Sequence, residues 1–544
     1  MDEQSDAPRA GRTWDRPRTR RAILGGGAAI AAAGAAAAIV GVTTYDGGGK
    51  SQEGSGDGAG QSSPPRATPT PDPNRQIAEP ARRAAHLLRR AGFGGTPAEV
   101  DEFAKLTRAE AADRLVNFEA VDNSALNARL ATMNLELNDY GNGLIGDMQR
   151  WWLTRMVYTA RPLEERMTYI WHGLLTSQLS KVGNQKAKLL VKQNELFRAN
   201  ALPKFDTLIK AVSRDPAMLN YLDLVDSTKE HPNENYAREL MELFTIGVGN
   251  YTEDDVRESA RAFTGWRVTQ PPRQNLGPNP TQQERNEALR KAAAEWDAQF
   301  QFVPRLHDSG TKTFLGTSGA FDGDDIIDIL MQQKATGRYI TTRLFTEFAN
   351  YNPEPKTIDR LAGVWESSGH QIKDVVREIL VSDEFYSERS YRGFVRSPIE
   401  FLVGAMRGLG LESDFRQLAN GGRGRGNATA NAFRGMDQVL FEPHNVAGWP
   451  GGSTWLSSST FFARVNFADQ LLFPNGRPTK VPALAGASTT EDMVSIALDR
   501  LVDGNTSPTS REALTSFAAS IKAPDERAAT VAYLVLSSPE YQLA

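Results

Sequence analysis

The chain has 544 residues, with 62 Lys and Arg against 66 Asp and Glu, a near-neutral balance that leaves no electrostatic footprint for a nucleic-acid partner. It contains no Cys, which excludes disulfides, a lipid-anchored Cys, thiolate catalysis and Cys-ligated zinc or iron–sulfur clusters. Any divalent metal must therefore be held by carboxylate, His or backbone oxygen.

Residues 1–45 read as a twin-arginine signal peptide or signal anchor. The first 21 residues carry six Arg, Thr19-Arg20-Arg21-Ala22-Ile23-Leu24 fits the twin-arginine pattern, and no residue from Ala22 to Tyr45 is charged. The uncharged run is Ala and Gly rather than Leu, which suits a route that exports folded proteins. About 20 uncharged residues can also span a bilayer, so membrane attachment is expected only through this segment, if it stays uncleaved. Residues 46–75 are a linker: 16 of the 29 residues from Gly47 to Arg75 are Gly, Pro or Ser.

Residues 76–544 are long enough for one large core or two fused ones. Thr96-Pro97 reads as an N-cap followed by Pro at the first helical position, Thr107 with Glu110 as a capping box, and Pro162 as the start of a helical run to Lys181. A central helix is predicted from Asn233 to Gly247, and Thr252 with Asp255 caps the next, which turns Val256, Ala260 and Phe263 inward. Further helices are predicted over 323–333, 336–350, 356–368, 372–382 and 398–409, with three or more after Thr489. Only Ala298 to Val303 and Trp266 to Thr269 alternate in a strand-like way. The polar segment between them reads as an insertion in a surface loop, and Gly422 to Gly426 as a flexible basic connection. The fold class is mainly α, a large multi-helix domain with at most a small β-hairpin.

The central helix is the most informative segment. At about 100° per residue, Glu234, Asn235, Arg238, Glu239 and Glu242 share one arc, and Tyr236, Ala237, Leu240, Met241, Leu243 and Phe244 share the opposite one. Glu234 with Arg238 and Arg238 with Glu242 are i,i+4 pairs of opposite charge, as on any solvated face. If the same face were buried, its charges would need protons, a cation or basic partners. Both readings stand at this point.

The stretch from Pro232 to Trp266, ending ARAFTGW, closely resembles the hallmark of a large bacterial family, domain of unknown function 1800. His86 to Gly94 (HLLRRAGFG), Asp215 to Asp223 (DPAMLNYLD), His307 to Gly316 (HDSGTKTFLG) and Asn445 to Gly452 (NVAGWPGG) match its other motifs in order. The chain departs from the family pattern at Trp171-His172-Gly173-Leu174, where relatives carry a longer aromatic, Asn and His run, and at Pro203, where Gly is usual. The resemblance implies an exported protein, often encoded beside an exported sulfatase- or phosphatase-like protein, which becomes the expected partner.

Candidate chemistry gathers in these motifs. Glu239 and Glu242, at i,i+3, have a spacing used by helical carboxylate metal sites. His307 and Asp308 could supply a base with its orienting carboxylate, or two metal ligands, and Lys312 lies close by. Glu239, Glu242, His307, Asp308 and Arg238 are thus the catalytic candidates. Asn235, Glu234, Lys312 and Trp266 are candidates for binding, as are Asn445, Trp449 and Trp455 of a Gly-rich loop whose indoles either form a stacking platform or pin the loop to the core. The expected function is an exported, envelope-associated, hydrolase-like enzyme acting on an extracellular or cell-wall polymer, with its site between the central helix and the His307 loop. The alternative is a non-catalytic binding or assembly protein.

Overall fold

The computed structural model describes residues 75–133, 135, 144–183, 186–413, 415 and 433–544. The signal segment, nearly all of the linker and the Gly422 to Gly426 connection lie outside the described residues. The domain is mainly α. Helix starts fall where side chains relieve the free N–H groups of the first turn: Thr96 with Glu99, Thr107 with Glu110 and Thr252 with Asp255 each close a reciprocal capping box.

Two antiparallel pairs interrupt the helices. Trp266–Val268 (β1) pairs with Phe300–Phe302 (β2), joining the two alternating stretches, and the insertion between them carries the largely exposed helix Gln282–Glu295. Lys312–Phe314 (β3) pairs with Thr317–Gly319 (β4), one hairpin more than the sequence suggested. Its two-residue turn has Leu315 at φ 47° and Gly316 at φ 79°, the left-handed pair that matches strand twist. A Leu at the first position hides that turn from sequence.

Helix Pro162–Leu174 runs through the core and is buried on nearly every side although it carries charge. Glu165, fully buried, accepts from Arg155 Nε at 2.8 Å and from Arg198 Nε and Nη2 at 2.8 and 3.0 Å. Burial alone would raise this carboxyl, but Arg198 and then Arg155 hold it below its usual range. Its neighbour Arg166 donates to Glu400 at 2.6 Å across to helix Pro398–Leu409. Such pairs cost more to break than they add over an apolar core, because one member left alone is a buried charge.

The first family-like motif ties the ends of the domain together. His86 contacts the Phe385 carbonyl through Nε2 at 2.9 Å, and burial, then Arg89 and Arg90, lower it to about 3, so the ring is neutral. Arg89 Nη2 meets Asp503 Oδ2 at 2.8 Å, and Asp503 also accepts from Tyr391 and Arg392. Arg90 donates from Nε to the Phe348 carbonyl at 3.0 Å. None of the described helices is long and apolar enough to cross a membrane.

Candidate functional site

The central helix is α-helical only over Glu234–Glu239, capped by the Asn233 side chain, and continues as a π-helix over Leu240–Thr245. Ile246 N–H bonds the Met241 carbonyl five residues back at 3.1 Å, Thr245 Oγ1 bonds the Leu240 carbonyl, and Tyr339 Oη donates to the Leu243 carbonyl at 2.8 Å. Such widened turns recur at functional sites because each spends backbone stability to re-aim side chains. The apolar arc packs as read: Tyr236, Ala237, Leu240, Met241 and Phe244 are fully buried.

The charged arc is half-buried. Arg238, with 34% of its side chain exposed, reaches Glu234 at 3.3 Å and pairs with both oxygens of Glu253 at 2.8 Å, at the start of helix Glu253–Ala262. Glu242 accepts from Tyr251 Oη at 2.7 Å. Glu239 has no hydrogen-bond or ion-pair partner among the described residues, and its carboxyl is raised by partial burial and then by Glu242.

Tyr221, at the end of helix Pro216–Tyr221, faces this carboxylate. Its phenol is pushed up to about 12 by burial, then by the charges of Glu239 and Glu442. Glu442 comes from the segment leading into the Gly-rich loop, accepts from Ser180 Oγ at 3.1 Å, and is itself raised by burial. Lys181 Nζ lies 5.5 Å from the centre of the Tyr221 ring and 2.9 Å from Asp223 Oδ2, and Asn235 Nδ2 reaches the same oxygen at 3.4 Å. Three of these segments belong to family-like motifs or lie next to one: 215–223, the central helix, and the approach to 445–452.

The backbone here is unusual. Asp223, Asp437 and Phe441 have φ of 57°, 68° and 67°, in the left-handed region that L residues occupy at a cost. For a bulky Phe this is a true outlier, and such positions gather at functional sites because surrounding structure must hold them. Leu179 N–H fixes Phe441 by bonding its carbonyl at 3.0 Å.

The His307 segment forms a separate, internally satisfied turn. His307 Nδ1 lies 3.0 Å from the Thr264 carbonyl, Asp308 pairs with Arg261 through both oxygens at 2.8 and 3.2 Å, and buried Lys312 donates to the carbonyls of Asp308 and Gly310. No hydrogen bond or ion pair among the described residues joins it to the carboxylates of the central helix. The two groups hold opposite ends of helix Glu253–Ala262: Arg238 at Glu253 and Asp308 at Arg261. Eight residues at 1.5 Å each separate those positions by roughly 12 Å along the axis.

The remaining candidates are placed as follows. Trp266 is buried at the start of β1, edge-on to Phe263 and Phe300. Trp455 is buried, and Trp449 stacks on Tyr169 at 5.6 Å and 12°. Asn445 is exposed and its Oδ1 accepts from Ala447 N–H at 2.9 Å, closing a local turn. The cluster around Tyr221 thus adds Tyr221, Glu442, Asp223 and Lys181, none of which the sequence singled out. A Glu a few residues before the NVAGWPGG motif was the available signal, and only the fold carries it to Tyr221. Among the described residues no group of three or more His, Asp or Glu gathers closely enough to form a metal centre. A cation at this face would take Glu239 and Glu242 and complete its shell from backbone or ligand oxygen.

Comparison with known families bears on these motifs directly. The chain belongs to the family described as Protein of unknown function (DUF1800), whose model matches residues 86–543. Searches of curated proteins and of solved structures gave no match.

Proposed function

We propose that this member of the DUF1800 family is an exported, envelope-associated protein in which Glu239, Tyr221 and Glu442 support hydrolase-like acid–base chemistry on an extracellular or cell-wall polymer. The reading is carried by one observation: carboxyls from two distant motifs, Glu239 and Glu442, lie near the Tyr221 phenol, over whose ring Lys181 Nζ stands at 5.5 Å, and burial raises both carboxyls. A carboxyl held above its usual range retains a proton nearer to neutral pH and can give it to a leaving oxygen, while its ionised counterpart takes one from water. Lys181 and Asn235 would orient the polymer, and export rests on Arg20-Arg21 ahead of a weakly apolar run.

A second reading is favoured by the exposed Glu234–Arg238–Glu253 network, which suits a docking surface for an exported sulfatase- or phosphatase-like partner. The test is Glu442→Gln in the exported protein, assayed for release of new chain ends from purified wall polysaccharide. The variant is expected to lose at least about 100-fold in rate. Absence of release by the natural protein, with a partner co-purifying through Arg238, would replace the first reading by the second.

A further inference from the structure

Two of the segments that build the Tyr221 cluster meet at one buried carboxyl. Asp215 is 4% exposed. Its Oδ2 accepts from Met218 N–H at 2.9 Å, capping helix Pro216–Tyr221, whose last residue is Tyr221 itself. The same oxygen accepts from Gln193 Nε2 at 2.8 Å, and Nε2 also donates to Ser177 Oγ at 2.9 Å. Ser177 opens the stretch 177–181, in which Leu179 N–H bonds the Phe441 carbonyl, Ser180 Oγ donates to Glu442 and Lys181 stands over the Tyr221 ring. Asp215 thus holds one wall of the cluster through its cap and a second through Gln193.

This carboxyl lacks what comparably buried ones have. Glu165, Glu400 and Asp503 each sit against Arg, whereas Asp215 forms no ion pair among the described residues. The charges on the elements packed against its helix are turned elsewhere: Lys181 to Asp223, Lys188 to the Ala293 and Ala294 carbonyls, and Arg198 to Glu165 and Glu195. Asp206 pairs with His370, Lys210 with Asp328 and Arg214 with Asp324, and Arg267 reaches the Val225 carbonyl beside Asp226. Lys192 does act on Asp215, but less than the hydrogen bonds do, and it is half exposed and paired with Asp297. Burial therefore raises Asp215 to about 7. Gln193 can follow that proton, for its Oε1 is buried with no partner among the described residues. A carboxylate needs the amide N–H. A carboxylic acid needs an acceptor, which the amide supplies by turning over to bring Oε1 to Asp215 and to the Ser177 hydroxyl.

We propose that Asp215 is a proton-operated latch on the Tyr221 cluster: protonated, it holds helix Pro216–Tyr221 and the stretch 177–181 in place, and ionised, it loosens both. A carboxyl raised in the folded state stabilises the closed form fully below its unfolded value of about 3.9, and that contribution is lost as pH rises through the folded value. What the latch regulates rests on the acid–base reading above; the latch itself does not. Hydrogen exchange of the full chain at pH 5 and pH 7, resolved by peptide and corrected for the chemical rate, tests it. Peptides covering 177–181 and 216–222 are expected to exchange at least about 10-fold faster at pH 7 in the natural chain, and within about 2-fold of each other at the two pH values in Asp215→Asn. The carboxylic-acid C=O stretch that this variant removes from the infrared spectrum at pH 5 should be absent from the natural chain at pH 9. Gln193→Met, which leaves the cap and cuts the path to Ser177, should keep the pH dependence at 216–222 and lose it at 177–181. Equal exchange at both pH values in the natural chain, or the same acceleration in Asp215→Asn, would overturn the proposal. If Asp215→Asn does not fold, Gln193→Met decides, and acceleration of both segments alike in it would overturn the latch. Wall-polymer hydrolysis without pH-dependent loosening would remove the latch and keep the hydrolase reading, and loosening without hydrolysis would do the reverse.

Discussion

Glu239→Gln separates a working carboxylate from a structural one. Glu239 is half-buried, has no hydrogen-bond partner among the described residues, and is raised by burial and then by Glu242, with Arg238 opposing. A carboxyl raised in the folded state stabilises the fold only below its unfolded value of about 4.3, and that contribution is lost as pH rises through the folded value. At pH 7 the ionised side chain is therefore a small cost, and Gln, of equal volume, removes it. The expected change in stability is neutral to slightly favourable, within about 0.5 kcal/mol. That corresponds to less than about 2 °C in melting temperature for a domain of this size. The difference should vanish below about pH 4, where the natural side chain is protonated too. Activity on wall polymer should fall by about 100-fold or more if the carboxyl transfers a proton. Melting curves at pH 7 and pH 4, run beside the chain-end assay, read both quantities. A loss of about 3 kcal/mol or more at pH 7 would show a buried ion pair instead, and unchanged activity would refute the catalytic role.

Other expectations follow from the core and the amino terminus. Glu165→Ala should cost about 3 to 5 kcal/mol, because Arg155 would lose its buried counter-charge and Arg198 would keep only Glu195; denaturant unfolding measures it, and a loss below about 1 kcal/mol would count against the pairing. Burial opposes ionisation of Glu400, but Arg166 and then Arg90 hold it down to about 2, and Arg89 and Arg392 likewise hold Asp503 well below its usual range. Their contribution is fully present above about pH 4.3 and is lost as pH falls toward about 2, so near-ultraviolet circular dichroism should collapse across that window and survive above it. Replacing Arg20 and Arg21 with Lys should leave precursor inside the cell, and cell fractionation that finds normal export would sink the twin-arginine reading.

Much of the helical frame was written locally. Thr107 with Glu110 and Thr252 with Asp255 fix their helices within a single turn, Pro398–Leu409 was bounded by its own Ser-Pro start and Gly stop, and the polar and apolar arcs of the central helix divide as read. The π-helical turn from Leu240 to Thr245 was not legible, because a 3.6-residue periodicity cannot register an inserted residue whose cost is met by Tyr339 and other tertiary partners. The candidate site was half legible: Glu239 was visible from its helix face, whereas Tyr221 stood inside the DPAMLNYLD motif without being singled out and Glu442 belongs to a distant segment. His307 and Asp308 looked chemical because they neighbour each other in sequence, but Arg261 and Thr264 account for their hydrogen bonds. Polar residues in a motif report that the chain needs them there, and only the fold distinguishes a clamp from a reagent.

The Arg89–Asp503 clamp spans 414 residues of chain, and Arg407 reaches back to Glu99 across 308. During synthesis the helix Pro80–Arg90 emerges long before Asp503 exists, so it waits, unseated, until the chain through Asp503 has been made. Contacts of such sequence separation also close slowly, since their loop entropy is met before any reward arrives. Seating of this helix is therefore a late step in the maturation of the domain. A truncated product lacking Asp503 would leave Arg89 and Arg392 without their buried counter-charge.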